Sequence, residues 1–362
     1  MKTALKVLLA LLVVVAMGLG GMFLWARSAV ASKLAQRIEV HEVDFPVPFP
    51  LSEEELAALR AEAKAQAAPE AEAEAEAEAA PDAEAEAEPE AEPEAAPDPL
   101  AGVDLDAIAF ERAIARGKHL VEARYACTEC HGDNFGGGVM VDDPAMGQLL
   151  GPNITTGKGG KTADYTTADW DRIVRHGIKP DGSPAAMPAE DFQLMSDHEL
   201  SDIVAYLRTV PPVDNEVPPV SLGPLGTVLM ATGKLPISAE VIRDHMGDHP
   251  RHPPEARPDA EFGKHLAGVC TGCHRPSLQG GPIAAGPPDW APARNLTPHA
   301  DGLEGWTYEQ FVAAMRQGVR PDGTQLKMPM SLMMPYARKM TDTELRALWA
   351  YLQSVPARPT GT

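Results

Sequence analysis

Cysteine is scarce in this chain, with four residues in 362. All four fall in two copies of one pentapeptide, Cys127-Thr128-Glu129-Cys130-His131 and Cys270-Thr271-Gly272-Cys273-His274. None is left for a structural disulfide or for a nucleophile elsewhere. Basic charge is also short, at 31 Lys and Arg against 52 Asp and Glu. There is no basic patch interleaved with aromatics and no Gly-x-x-x-x-Gly-Lys phosphate loop, so the chain shows neither a nucleic-acid surface nor a nucleotide cradle. The formal charge of −21 is local: residues 53–98 hold 17 Asp and Glu against Arg60 and Lys64, which accounts for −15 of it. The charge therefore describes one arm and not a partner-binding surface.

The cysteines spell C-x-x-C-H, the attachment signature of a c-type haem. Two thiols three positions apart on one turn can both bond the haem vinyl groups, and the adjacent histidine offers a ring nitrogen to the iron. Cys127, Cys130, Cys270 and Cys273 are read as covalent attachments and His131 and His274 as proximal ligands, giving two haem c (iron) per chain. A thioredoxin-like dithiol would open a helix after a strand, and neither copy has a β-rich approach. A four-cysteine zinc site would leave two histidines unexplained at identical positions.

The repeat extends well beyond the pentapeptides. Gly117-Lys118-His119-Leu120 and Gly263-Lys264-His265-Leu266 precede them. Phe135-Gly136-Gly137 and Leu278-Gln279-Gly280-Gly281 follow, then Asn153-Ile154-Thr155 and Asn295-Leu296-Thr297. Arg175-His176-Gly177-Ile178-Lys179-Pro180-Asp181-Gly182 is echoed by Arg316-Gln317-Gly318-Val319-Arg320-Pro321-Asp322-Gly323. Each half closes with a helix, expected over Glu199 to Thr209 and Glu344 to Ser354. Ile203, Tyr206 and Leu207 match Leu348, Tyr351 and Leu352 as an i, i+3, i+4 apolar stripe, with Ser196-Asp197 and Thr341-Asp342 as N-caps and Pro211 and Pro356 as stops.

On these residues the chain resembles tandem class I cytochrome c domains, as found in dihaem cytochromes and in cytochrome subunits of membrane-linked dehydrogenases. The resemblance covers about 101–212 and 255–357. It implies an all-α fold in which the helix before C-x-x-C-H crosses the last helix at a glycine against an aromatic ring, here Gly117 with Tyr206 and Gly263 with Tyr351. It also implies a methionine as the second iron ligand, in a Met-Pro loop before the last helix; such a ligand raises the potential, a histidine pair lowers it, and an empty site invites substrate or gas chemistry. Met187, in Ala186-Met187-Pro188, meets this in the first half, and Met195 reads as core. The second half offers Met328, Met330, Met333 and Met334. Counting forward from Asp322-Gly323 gives Met328, and splitting the four extra residues of this half across the ligand gives Met330, the preferred assignment, with Met334 third. His119 and His265 lie on the wrong side of the iron to ligate it and read as exposed helical residues. Trp170, Phe192, Phe311 and Trp349 are expected to support the pockets. Asn153, Asn295, Arg175 and Arg316 are candidates for the propionates, although loop structure and solvated surface suit the arginines better.

The N-terminus has Lys2 and Lys6 and then twenty uncharged residues, Val7 to Ala26, enough to span a bilayer. Its apolar run is long for a removable signal, yet Ala29-Val30-Ala31 is a cleavage-like site, so anchored and cleaved forms both stand. In either form the haem domains are exported, which fits haem attachment outside the cytoplasmic membrane. The resulting division is a signal anchor or transmembrane segment at 1–37, a periplasmic linker at 38–100, a first cytochrome c domain at 101–219, a connector at 220–254 and a second domain at 255–362. Within the linker, Glu70 to Pro99 is expected to be a disordered, self-repelling, extended tether. The apolar part of the connector, Leu222 to Leu235, is expected to pack between the haem domains. The function this implies is single-electron transfer between periplasmic or membrane redox partners, a donor and an acceptor, by a carrier that is not itself an enzyme. The alternatives are a cytochrome subunit of a dehydrogenase or oxidase complex, or a dihaem peroxidase-like enzyme, which needs one open iron and unequal halves.

Overall fold

Nothing interrupts a helix in the apolar N-terminal segment, and α1 runs Lys2–Leu34 in the computed structural model, which describes residues 2–78, 98–283, 286, 287 and 289–361. Among the described residues it is the one helix long and apolar enough to cross a membrane, and its apolar window is exposed. The contacts divide the chain into two units, Met1–Val47 with Ala113–Thr362, and Pro48–Arg112.

The smaller unit is dominated by α2, Glu53–Glu78. Ser52 Oγ accepts from the Glu55 amide at 3.2 Å and Glu55 Oε2 from the Ser52 amide at 2.9 Å, a reciprocal cap. The helix enters the acidic arm and holds to Glu78, where an extended chain was expected. Here Ala and Glu, strong helix formers, alternate, and like-charge pairs cost only about 0.2–0.5 kcal/mol each. A single proline, Pro69, falls inside it, whereas closely spaced prolines begin at Pro81. The remainder of the expected tether, 79–97, lies outside the described residues.

In the larger unit the first haem domain is built from α3 (Leu105–His119, entering this unit at Ala113), α4 (Cys127–His131), β1 (Gly138–Asp143), β2 (Gly147–Gly151), α5 (Thr167–His176) and α6 (Asp197–Leu207). The connector supplies β3 (Ser221–Leu222), α7 (Pro224–Ala231) and α8 (Ser238–Val241). The second domain repeats the plan with α9 (Ala260–Leu266), α10 (Thr271–His274), α11 (Tyr308–Gln317), α12 (Met334–Ala337) and α13 (Asp342–Ser354). Both closing helices start at the expected caps, Ser196 and Thr341, and both are completed by a glutamate at the third helical position.

The helix crossings explain the repeated glycines. A β-carbon on Gly117 would lie 2.0 Å from the Asp202 carbonyl oxygen and 2.9 Å from Tyr206 Cβ; one on Gly263 would lie 1.9 Å from the Ala347 carbonyl oxygen and 2.7 Å from Tyr351 Cβ. Only glycine allows backbones this close. Around the second crossing Phe262, Leu266, Phe311, Leu345, Leu348 and Leu352 form one buried cluster.

Two further expectations change. The chain is rich in helix but not all-α, because β1, β2 and β3 form an antiparallel sheet in that order. Its turn is closed by Asp143, whose Oδ1 accepts from the amides of Ala145 at 2.8 Å and Met146 at 2.7 Å. The strands show no apolar alternation because Val139 and Met140 are both exposed and a bulge separates Val139 from Val141. The connector's apolar stretch does not fill the space between haem domains; α7 packs on the end of α1, burying Met230 and Ile237 with Val30, while Lys33 pairs with Glu240 at 2.8 Å.

Candidate haem sites

The first pentapeptide forms the single helical turn α4 and the second forms α10 with Cys270 at its N-cap, each bringing two thiols and an imidazole onto one short helical segment. His131 Nδ1 donates to the Pro152 carbonyl at 2.9 Å and His274 Nδ1 to the Arg294 carbonyl at 2.7 Å. A carbonyl only accepts, so the proton sits on Nδ1 and the Nε2 lone pair is left for a metal. Burial pushes both imidazoles below their ordinary pKa, so both stay neutral, as ligation requires.

The four thiols are unbridged. Burial raises Cys127 and Cys270 to about 12 and Cys130 to about 11. A redox dithiol works through a depressed thiol pKa, and these are moved the other way. The donor set suits covalent attachment of haem c at both sites, with the histidine Nε2 left unprotonated.

The loop after each motif is also duplicated. Phe135 and Leu278 take positive φ, 59° and 58°, and Gly137 and Gly281 both sit at 113°. The carbonyls of Phe135 and Leu278 accept from the Ile154 amide at 2.9 Å and the Leu296 amide at 2.8 Å. Asn153 and Asn295 are buried and tie this loop to the segment after the last helix, Nδ2 donating to the carbonyls of Val213 and Arg358, each at 2.7 Å. Arg175 is fully buried, not solvated: it donates to Asp171 Oδ1 at 2.7 Å, the Met195 carbonyl at 3.1 Å and Asp197 Oδ1 at 2.9 Å. Arg316 repeats the latch to the Arg338 and Met340 carbonyls and Asp342. The arginines hold the methionine arm to the last helix. Trp170 and Phe311 are buried, Trp349 stacks obliquely on Phe311 at 5.4 Å, and Phe192 meets Tyr125 edge-on at 5.8 Å.

The methionine arms can be compared by hydrogen-bond register. The Lys179 amide bonds the Ser183 carbonyl and the Ala185 amide the Gly177 carbonyl; the Arg320 amide bonds Thr324 and the Leu326 amide bonds Gly318 in the same way. Two residues beyond Ala185 is Met187, and two beyond Leu326 is Met328. Each precedes a proline and a short 3₁₀ turn, Ala189–Asp191 or Met330–Met333. The four extra residues thus fall after this position, and Met328, not Met330, is the backbone equivalent of Met187. Met187 is half-buried, Met328 exposed, Met330 half-buried and Met334 buried.

The two sites face each other through a pseudo-twofold contact that the sequence did not reveal. Tyr336, on α12 beyond the second methionine arm, bonds Thr128 Oγ1 at 2.9 Å and donates to Glu129 Oε2 at 3.1 Å, the two middle residues of the first motif. Asp191, beyond the first arm, lies against Gly272 of the second motif, and burial with the nearby Glu190 raises it to about 7. His119 and His265 are not free helical residues. His119 Nε2 donates to Glu344 at 2.9 Å and His265 Nε2 to Glu199 at 2.8 Å, each reaching the capping glutamate of the opposite domain. Arg124 bridges both, donating to Glu199 at 3.1 Å through Nη1 and to Glu344 through Nε.

Residues 112–207 match the family described as cytochrome c oxidase, cbb3-type, subunit III, and residues 260–356 match cytochrome c. The chain is 25% identical to the fructose dehydrogenase cytochrome subunit of Gluconobacter japonicus, over 70% of this chain and 54% of that protein. It is 28% identical to the cytochrome c subunit of the quinone alcohol dehydrogenase of Gluconobacter oxydans, over 72% and 60%. It is 25% identical to a diheme cytochrome c-type protein of Cereibacter sphaeroides, over 59% and 73%. The chain thus spans between half and three fifths of the length of the two dehydrogenase subunits.

Proposed function

This chain belongs to the dihaem cytochrome c family, with one haem c bonded at each of its two domains, and on that footing we propose that it is a membrane-tethered relay of single electrons. Haem c, when bound, cycles its iron between two oxidation states and so holds one electron at a time. Cys127 and Cys130 or Cys270 and Cys273 would hold the group covalently, His131 and His274, oriented by backbone carbonyls, would offer Nε2 to its iron, and Met187 and Met328 would supply the second ligand. Met330 is the alternative in the second domain. Two methionine arms in matching register leave neither domain specialised for an open iron, which favours a carrier over a peroxidase-like enzyme.

The observation that carries this reading is the reciprocal interface. Each attachment motif is touched by a residue just beyond the other domain's methionine arm, Tyr336 on Thr128 and Glu129 and Asp191 on Gly272. Such an arrangement sets each attachment motif directly against the other domain.

The named relatives of similar sequence are cytochrome subunits of a fructose and an alcohol dehydrogenase. We therefore read the electron donor as a dehydrogenase partner and the acceptor as another periplasmic or membrane redox protein. The burial of Val30 supports α1 as a retained anchor, because cleavage after Ala31 would strip Val30 from α7. Copurification from gently solubilised membranes, followed by rapid-mixing reduction with the partner's substrate, tests the proposal. Sequential reduction of both haems supports it; two haems that stay oxidised while the partner turns over overturn it.

A further inference from the structure

Away from both haem motifs, three histidines and an aspartate from three separate segments converge inside the larger unit. They are His41 from the strap after α1, Asp171 and His176 from α5, and His249 from the connector, with one potential ligand atom from each lying within 4.8 Å of all the others. His41 is 7% exposed, Asp171 and His176 are fully buried, and the His249 side chain is 8% exposed. The three rings stand edge-on around a common centre, with centroid separations of 5.4, 5.5 and 5.1 Å.

The hydrogen bonds settle which nitrogens carry protons. His249 Nδ1 donates to the Gln193 carbonyl at 3.1 Å. His245 Nε2 donates to the Ala239 carbonyl at 3.1 Å, so its Nδ1 accepts from His176 Nδ1, also at 3.1 Å. His41 Nδ1 faces the Asp248 carboxylate at 3.4 Å. With every Nδ1 proton engaged outward, the three Nε2 lone pairs point inward. His176 Nε2 and His249 Nε2 then face each other at 3.1 Å with no proton between them. His41 Nε2 and Asp171 Oδ2 are buried without a hydrogen-bond partner although only 3.2 Å apart. Lone pairs packed this way repel unless a cation sits among them.

We propose that His41, Asp171, His176 and His249 form a tetrahedral site for a divalent transition metal, zinc by preference. Zinc with nitrogen and oxygen ligands near 2.0 Å has ligand-to-ligand edges of about 3.3 Å. Three of the six edges here are 3.1, 3.2 and 3.6 Å, and one potential ligand atom from each residue lies within 4.8 Å of the others. The surrounding shell holds Asp171, Asp197 and Asp248 against Arg175, two net negative charges for a dication. Four protein ligands leave no open position, which makes this a structural staple and not a catalytic centre. It joins the strap and the connector to the first haem domain. The second domain lacks it, with Val312 and Gln317 where the first has Asp171 and His176.

The test uses the full-length, haem-loaded protein purified without a histidine tag. After incubation with equimolar Zn2+ and gel filtration, elemental analysis is expected to give one zinc per two irons. Zinc-edge absorption should show four light ligands, and competition with a chelating dye a single site of sub-micromolar affinity. His249→Gln and Asp171→Asn should each lower affinity at least tenfold, and His299→Ala should leave it unchanged. Absence of saturable zinc binding by the parent protein overturns the proposal without any variant. So does undiminished binding in the double variant His41→Gln/His249→Gln.

Discussion

Glu344→Gln is the sharpest probe of how the haem domains are held together. A glutamine at this position keeps the shape and still completes the cap of α13, so the change removes charge and little else. Burial would raise the Glu344 carboxyl, but the hydrogen bond from His119 and the charge of Arg124 outweigh it and hold it down at about 2, against an ordinary 4.5. That difference is worth about 3 kcal/mol at neutral pH. Arg124 keeps Glu199 at 3.1 Å, so the substitution does not strand a buried cation. Because the folded pKa is depressed, the stabilisation is complete above about pH 4.5 and fades as pH falls towards 2. The gap between parent and variant should therefore be about 3 kcal/mol at pH 7 and shrink to roughly half of that at pH 3. Urea unfolding in detergent, read by tryptophan fluorescence and the haem absorption together, measures both. Equal midpoints at pH 7, or a gap that does not narrow on acidification, would refute the account of this interface.

Gly263→Ala should lower thermal stability, because its β-carbon at 1.9 Å from a backbone oxygen forces α9 and α13 apart. Overpacking of about 1–3 kcal/mol exceeds the helix-propensity gain of about 1 kcal/mol, and haem counts should fall from two towards one. Met187→Leu and Met328→Leu should each remove half of the near-infrared methionine-to-iron absorption while Met330→Leu leaves it intact; loss in Met330→Leu alone would move the ligand. Val30→Asp should increase proteolysis of the connector at α7, since burying a valine is worth about 1.5–3 kcal/mol. The intact mass of the mature protein should include Met1–Ala31, and a product beginning near Ser32 would remove the anchor.

The local chemistry was legible from residues alone wherever a function requires fixed spacing. Two thioethers and a proximal imidazole must come from one turn, so five residues identify each site. N-caps at Ser196 and Thr341 and close helix contacts at Gly117 and Gly263 were readable because the second half states each of them again. The hairpin Gly138–Gly151 was not legible: it interrupts the repeat, and exposed Val139 and Met140 break the alternation that marks a strand. Arg175 looked like a surface residue because burial of a guanidinium depends on three acceptors, one of them a backbone carbonyl twenty residues away.

By itself the sequence determined the cofactor and its number, because covalent attachment is encoded within a single helical turn. Only the tertiary structure decided which methionine in the second arm matches Met187, because an insertion can be located only through backbone hydrogen bonds. It also decided that His119 and His265 serve the interface and that four residues spread over more than two hundred positions share one pocket. Those outcomes depend on which groups meet after the chain has folded, and spacing along the chain carries no record of such meetings.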